Sequence, residues 1–163
     1  MRRREILHKD AIKVIGIETR TTNRDEEDSR TAKIPKLWES FFHENVGERV
    51  PNKVSPGNML EIYTDYESDE HVAYTVILGF EVTSFQHIPE GMIAKSIPAS
   101  NYVVLTTNKG SLSSIVKDAW REIWTLSIDQ LGGKRRFSGD FEIFDERSQD
   151  PQNAEVDIYI AIE

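Results

Sequence analysis

The sequence predicts an α+β fold made of a duplicated strand–helix–strand–strand unit, with antiparallel sheets, helices on one face and a groove at the pseudo-two-fold seam. Three observations predict it. Leu60-Glu61-Ile62-Tyr63 returns as Phe141-Glu142-Ile143-Phe144, 81 residues on. Trp38, followed by Phe41 and Phe42, returns as Trp120, followed by Ile123 and Trp124, 82 residues on. A strand-like and a helix-like segment thus share nearly one offset, as a duplicated structural unit requires. The third observation is the order of apolar patterns: alternation, helical spacing, then two further alternating runs, met twice along the chain.

Residues 12–20 open the first unit as a β-rich strand around Gly16. Thr21 to Arg30 is a polar loop carrying four acidic residues. From Ala32 to Glu44, the positions Ile34, Leu37, Trp38, Phe41 and Phe42 recur at helical spacing, and Pro35 sits near the start, where proline is tolerated. Pro51, Pro56 and Gly57 enforce a loop. Asn58 to Tyr66 and His71 to Thr83 then form a hairpin through the acidic turn Glu67-Ser68-Asp69-Glu70.

Pro89-Glu90-Gly91 separates the units. Met92 to Thr107 reads as one strand interrupted by Pro98. Ser111 or Ser113 caps a second helix reaching about Leu126, with one stripe of Leu112, Ile115, Val116, Ala119, Trp120, Ile123 and Trp124. Gly132-Gly133 stops it. Asp140 to Glu146 and Glu155 to Ile162 form the second hairpin, turning at Asp150-Pro151. The chain is expected to be a single domain, 1–163, of two pseudo-repeats at about 5–85 and 90–163.

Composition narrows the function. The net charge is −8, with 28 acidic against 20 basic residues, so a phosphate backbone is repelled and direct DNA binding is not expected. Absence of cysteine excludes disulfides, thiolate catalysis and cysteine-ligated metals. The four histidines, His8, His43, His71 and His87, show no metal-ligand spacing, and no phosphate-cradling glycine loop or nucleophile motif occurs. Neither metal nor cofactor is expected. No secretory signal or membrane-length apolar run is present, so a soluble cytoplasmic protein is expected.

Strand alternation points to a binding constellation. In the last strand Val156, Ile158, Ile160 and Ile162 share the face beneath the helices. If Phe141 and Ile143 match that face, Glu142, Phe144 and Tyr159 share the opposite surface, repeated in the first unit by Glu61 and Tyr63. A carboxylate among aromatic faces suits a delocalised organic cation. The same periodicity also fits an exposed strand glutamate, an edge tyrosine, and tryptophans Trp38, Trp120 and Trp124 that are simply core, the functional alternative being that one or two of the three edge the seam and wall a pocket.

Ala119-Trp120-Arg121-Glu122-Ile123-Trp124, Asp140-Phe141-Glu142-Ile143-Phe144-Asp145, Asp150-Pro151 and Glu155-Val156-Asp157-Ile158-Tyr159-Ile160 together resemble the gyrase-inhibitor-like effector-binding domain of AraC-type and multidrug-responsive bacterial transcription regulators, here stand-alone. The resemblance spans essentially the whole chain and is carried chiefly by its C-terminal half. It implies a ligand groove at the junction of two units, with Glu142 as the central acid and Tyr159 in the closing strand. The chain has Ala161 near its end where the family commonly has proline, and it lacks the usual proline after Trp124. The expected function is binding of an amphipathic, cationic aromatic small molecule by Glu142, Phe144, Tyr159, Trp120, Trp124 and Tyr63, for sensing or sequestration. With few residues before the first strand, no helix-turn-helix is expected, so such a sensor would act alone or through a protein partner. Two alternatives follow from the same resemblance. One is a hydrolase of reactive small molecules using Glu142 with Tyr159; the other is a protein-interaction role such as topoisomerase inhibition.

Overall fold

A computed structural model describes residues 1–163, apart from the side chain of Arg4. Eight strands form one sheet: β1 (Arg2–Lys9), β2 (Ile12–Thr21), β3 (Met59–Thr64), β4 (Tyr74–Val82), β5 (Ile93–Ile97), β6 (Ser100–Thr106), β7 (Asp140–Phe144) and β8 (Asp157–Ile162). Their spatial order is β1-β6-β8-β7-β3-β4-β2-β5, with every neighbouring pair antiparallel. The two expected hairpins, β3–β4 and β7–β8, lie side by side at the centre, and β3 pairs with β7. The duplicated α+β plan is therefore realised as one continuous sheet with its seam in the middle.

Helices cover one face. In the first unit α1 (Asn23–Glu26) is followed by α2 (Ile34–His43) and α3 (Val46–Arg49); in the second, α4 (Leu112–Thr125) is followed by α5 (Ile128–Leu131). The acidic loop expected at 21–30 contains α1, and one of its acids has structural work. Glu26 accepts from the backbone amides of Lys33 (2.9 Å) and Ile34 (3.0 Å), satisfying two otherwise orphaned donors at the start of α2. Leu37 and Phe41 of α2 pack on Ile15, Ile17, Leu78 and Phe80. On the other side of the seam Ala119, Trp120 and Ile123 of α4 pack on Val103, Leu105, Ile158 and Ile160. Gly132 does stop a helix, but that helix is α5, which starts in a Ser127–Gln130 capping box after α4 has ended.

Two features correct the expected elements. The stretch Met92 to Thr107 is two strands, not one: Pro98 and Ala99 separate β5, which pairs with β2, from β6, which pairs with β1 and β8. The arginine-rich start forms β1, an edge strand on β6, whose charges suit an exposed sheet edge. Two-residue links, Asp10-Ala11 and Pro98-Ala99, thus connect strands six places apart. Six steps in a flat sheet would span ~29 Å, whereas three Cα–Cα steps reach ~11 Å. The sheet must twist and curl until diagonally opposite corners meet. That curl buries its second face on itself, in a cluster containing Val14, Leu60, Ile62, Ile77, Ile97, Tyr102 and Phe141.

Gly16 and Gly79, opposite one another in β2 and β4, permit the tight approach of these strands. A Cβ on Gly16 would lie 2.1 Å from the carbonyl oxygen of Leu78, and one on Gly79 would lie 2.2 Å from that of Ile15. Backbone, unlike a side chain, has no rotamer with which to yield. Gly16→Ala and Gly79→Ala are each expected to destabilise the fold by about 1–3 kcal/mol, seen as a lower urea midpoint at unchanged slope.

Candidate functional site

The pseudo-two-fold axis passes between β3 and β7, and it fixes what meets there. The register pairs Glu61 directly with Glu142, the two glutamates of the repeated motif. Both carboxyl groups lie on the helix-covered face, because Glu61 is also opposite Leu78 and Glu142 opposite Ile158. Glu142 is completely buried and Glu61 is 4% exposed.

This placement corrects the face assigned from alternation. Glu142 shares the face of Ile158, under α4, whereas Phe141 pairs with Tyr159 and stacks on its ring at 4.7 Å on the far side of the sheet. The slip is one residue. With both sheet faces buried, alternation could not say which residues of β7 looked toward the helices. Of the residues expected at the site, Glu142, Phe144, Trp120, Trp124 and Tyr63 gather on one side. Tyr159 does not; Lys9 Nζ lies 5.5 Å from its ring centre, on the opposite face. The geometry therefore builds no acid–base pair from Glu142 and Tyr159.

A cavity of about 920 Å³ opens between α2 and α4. Its walls include Trp38 and Phe42 from α2, and Trp120 and Trp124 from α4; Tyr63, Tyr74 and Phe144 come from the strands, and Tyr66 from the loop after β3. Glu61 forms part of the floor, and Glu142 lies just beneath it. The aromatic contacts follow the duplication. Trp120 meets Tyr63 edge-on at 5.2 Å, and its counterpart Trp38 meets Phe144, the counterpart of Tyr63, edge-on at 5.5 Å. Phe42 and Trp124 stand at the mouth, 68% and 42% exposed.

Polar contacts do not follow the duplication so closely. Glu142 Oε1 accepts from Trp120 Nε1–H (2.6 Å) and from the Tyr63 hydroxyl (2.9 Å). Where Glu142 has the Tyr63 hydroxyl, Glu61 meets the equivalent residue Phe144, which has none, and its hydrogen-bonding help comes from Tyr63 and Trp38. Among the described residues Glu142 Oε2 has no hydrogen-bond donor, and the Glu142 carboxyl as a whole lies within hydrogen-bonding reach of the Glu61 carboxyl. Burial raises the Glu61 carboxyl well above the usual range, and the facing charge of Glu142 raises it further, against weaker help from Tyr63 and Trp38. Burial also raises Glu142, opposed by hydrogen bonds from Glu61, Trp120 and Tyr63. No Lys, Arg or His among the described residues forms an ion pair with either acid.

One end of the cavity holds a separate, neutralised cluster. Asp140, fully buried, accepts from Arg135 Nη2 (2.7 Å), the Tyr66 hydroxyl (2.7 Å) and the backbone amide of Ala161 (2.8 Å). Glu70 lies 3.5 Å from Arg135 Nη1, and the guanidinium sits 4.3 Å from the Phe137 ring centre. This ties the β3–β4 loop to the entry of β7. Asp69, Glu70 and His71 also bring possible metal-ligand atoms together, though the Asp69 carboxylate accepts from the His71 amide (2.8 Å), a local turn that accounts for their proximity.

Sequence reasoning singled out the second-unit acid and left Glu61 as its echo. Trp38, Tyr66, Tyr74 and Arg135 were also absent from the expected site. The duplication itself was the available signal for Glu61 and Trp38: antiparallel strands related by a two-fold axis place equivalent residues face to face. Nothing comparable marked Tyr66, Tyr74 or Arg135, which the folded loops bring in.

Comparison with known proteins agrees with this architecture. The family Cass2, integron-associated effector binding protein, matches residues 5–162. YobU of Bacillus subtilis (strain 168), named as a candidate transcriptional regulator, is 32% identical over 161 residues, with 96% of each chain covered. The transcriptional regulator BrlR of Pseudomonas aeruginosa is 33% identical over 134 residues, covering 79% of this chain and 46% of BrlR. Among solved structures, an integron cassette protein from Vibrio cholerae superposes with TM-score 0.76 at 30% identity, covering 98% of this chain and 95% of the other. The protein SAV2435, solved bound to tetraphenylphosphonium, shares the fold with TM-score 0.78 at 15% identity, covering 100% and 94%. Among the described residues no helix is long and apolar enough to cross a membrane.

Two expectations follow. Arg135→Gln leaves Asp140 buried without its counter-charge and is expected to cost about 3–5 kcal/mol in denaturant unfolding. The carboxyl pair should also give stability a pH dependence. Because the folded state raises both acids, it keeps protons that the unfolded chain releases near pH 4.3. The associated stability is complete below that value and is lost as pH rises through the folded values of the pair. Glu61→Gln, which cannot ionise, should flatten this fall in a series of urea midpoints taken from acid to alkaline pH.

Proposed function

The chain belongs to the integron-associated effector-binding protein family, and we propose that its effector is an amphipathic organic cation with a large aromatic body, held between α2 and α4 above Glu61 and Glu142. One observation carries the reading: a buried carboxyl pair lies beneath an aromatic cavity, and among the described residues no basic side chain pairs with it. An isolated buried charge is costly, and removing a partner typically leaves a penalty of several kcal/mol. A ligand cation would supply the missing counter-charge.

The walls suit such a ligand. Aromatic faces attract delocalised cations by roughly 0.5–2 kcal/mol per contact, according to desolvation. A cavity of about 920 Å³ lies within the range that encloses a drug-sized molecule. Arg135 does not defeat the attraction, since Asp140 neutralises it directly. Tetraphenylphosphonium, the ligand of SAV2435, is a single positive charge inside four phenyl rings and belongs to this chemical class.

All three tryptophans line the cavity, so intrinsic fluorescence reports its occupancy. Titration with tetraphenylphosphonium should give saturable quenching. Glu142→Gln is expected to weaken that binding about tenfold or more, roughly 1.4 kcal/mol, and Glu61→Gln/Glu142→Gln should weaken it further. The uncharged triphenylphosphine oxide should be little affected by either change. Equal losses for the charged and uncharged ligands would remove the carboxyl pair from the recognition of charge.

A further inference from the structure

Resting on the cation-binding reading, we infer that Glu61 is the residue that sets the charge state of the groove: it shares one proton with Glu142 when the groove is empty, and a bound cation displaces that proton. The site then exchanges a proton for an organic cation, with Glu61 as the exchanging group and Glu142 as the fixed charge.

The geometry supplies three reasons. First, cross-strand partners stand close, with Cβ atoms about 4.5–5.5 Å apart, and like charges there repel. At this burial two adjacent carboxylates cannot both stay ionised, as in other paired carboxyl sites. Secondly, Glu142 has an oxygen without a donor among the described residues, its carboxyl hydrogen-bonds with that of Glu61, and a proton on Glu61 supplies the donor such a bond needs. Thirdly, the two acids are not equivalent. Glu142 lies below the floor with donors from Tyr63 and Trp120, a setting that favours its ionised form. Glu61 faces the cavity with only weaker help from Tyr63 and Trp38, the residue equivalent to Tyr63 on its side being Phe144.

Other groups on the cavity wall leave this assignment in place. Tyr63 and Tyr74 are neutral phenols whose ionisation burial pushes further up. Glu26 is engaged by the Thr21 hydroxyl and the amides of Lys33 and Ile34, at the start of α2. Arg135 is paired with Asp140 and Glu70. Glu27, Lys117 and Arg121 line the cavity as partly or fully exposed groups, where water and salt screen them. A cation entering above Glu61 therefore acts on the one acid that is both protonated and adjacent to it. The proton leaves to solvent, the second carboxylate appears, and the ligand faces up to two negative charges.

The test combines two measurements on the full chain. Infrared spectra of the ligand-free protein near neutral pH should show a protonated-carboxyl band that Glu61→Gln removes. Isothermal titration of tetraphenylphosphonium, in buffers of different ionisation enthalpy, should show proton release in the wild type. Affinity should rise with pH by up to tenfold per unit until the empty pair has lost its proton, then level off. Glu61→Gln, whose amide mimics the protonated acid and cannot exchange, should bind with a flat pH profile and release no proton. Absence of the infrared band in the wild type, or a pH slope and proton release that persist in Glu61→Gln, would overturn the inference. Failure of the cation reading looks different: tetraphenylphosphonium affinity unmoved by Glu142→Gln, with the infrared band still present and still lost in Glu61→Gln.

Discussion

Two glutamates placed opposite each other on the duplication axis are the constraint to which the rest of the groove answers. Like charges directly across a strand pair repel, and burial makes each of them costly. The fold surrounds them with groups that lessen that cost without removing it. Trp120 and Tyr63 donate to one oxygen of Glu142, the other has no donor among the described residues, and the facing carboxyl is that of Glu61. Among the described residues no cation completes the arrangement, although the chain uses arginines in that way elsewhere: Arg135 pairs with Asp140, and Arg147 bridges Asp145 and Asp157. That contrast, arginine for the aspartates but none for the two central glutamates, is what supports the proposal that their counter-charge comes from a ligand.

The sheet makes this site possible by burying its other face without help from helices. Curling brings diagonal corners together, so that Ile97, Tyr102 and Phe141 pack with Val14 and Ile77 into a second core. All five helices can then lie on one side, with α2 and α4 flanking the seam instead of closing over it. Gly16 and Gly79 belong to this device, since their strands approach more closely than a Cβ allows. The self-packed core and the aromatic groove thus occupy opposite faces of the same strands. Phe141 belongs to the self-packed face, whereas its neighbour Glu142 belongs to the groove.

Most of the elements were legible in the sequence because duplication repeats a weak signal and so confirms it. The helical stripes around Trp38 and Trp120 and the two central hairpins could be read directly. The orientation of β7 could not, for a physical reason: alternation shows that neighbours point apart but not which face each takes, and here both faces are apolar. Choosing Phe141 and Ile143 for the helix side put Glu142 in company with Tyr159 and away from Trp120. The helix supplied the missing reference, because a tryptophan donor within 2.6 Å of Glu142 fixes the face at once. The strands β1 and β5 were obscure for another reason. They are edges of the curled sheet, specified by a long-range approach of corners that no local pattern records.

The single substitution that breaks the symmetry of the site has the largest chemical consequence. With tyrosine at both 63 and 144, each glutamate could have a phenol and an indole, and neither acid would be the preferred home of a proton. Phenylalanine at 144 keeps the edge-on packing with Trp38 at 5.5 Å, so the aromatic wall is preserved. It removes one hydroxyl from the polar floor. That loss leaves Glu142 with the shorter, direct donors and is the asymmetry on which the proposed division into a fixed charge and a proton carrier rests. Duplication thus supplied the groove, its aromatic walls and the facing carboxyls, and one missing oxygen atom makes the surroundings of the two carboxyls unequal.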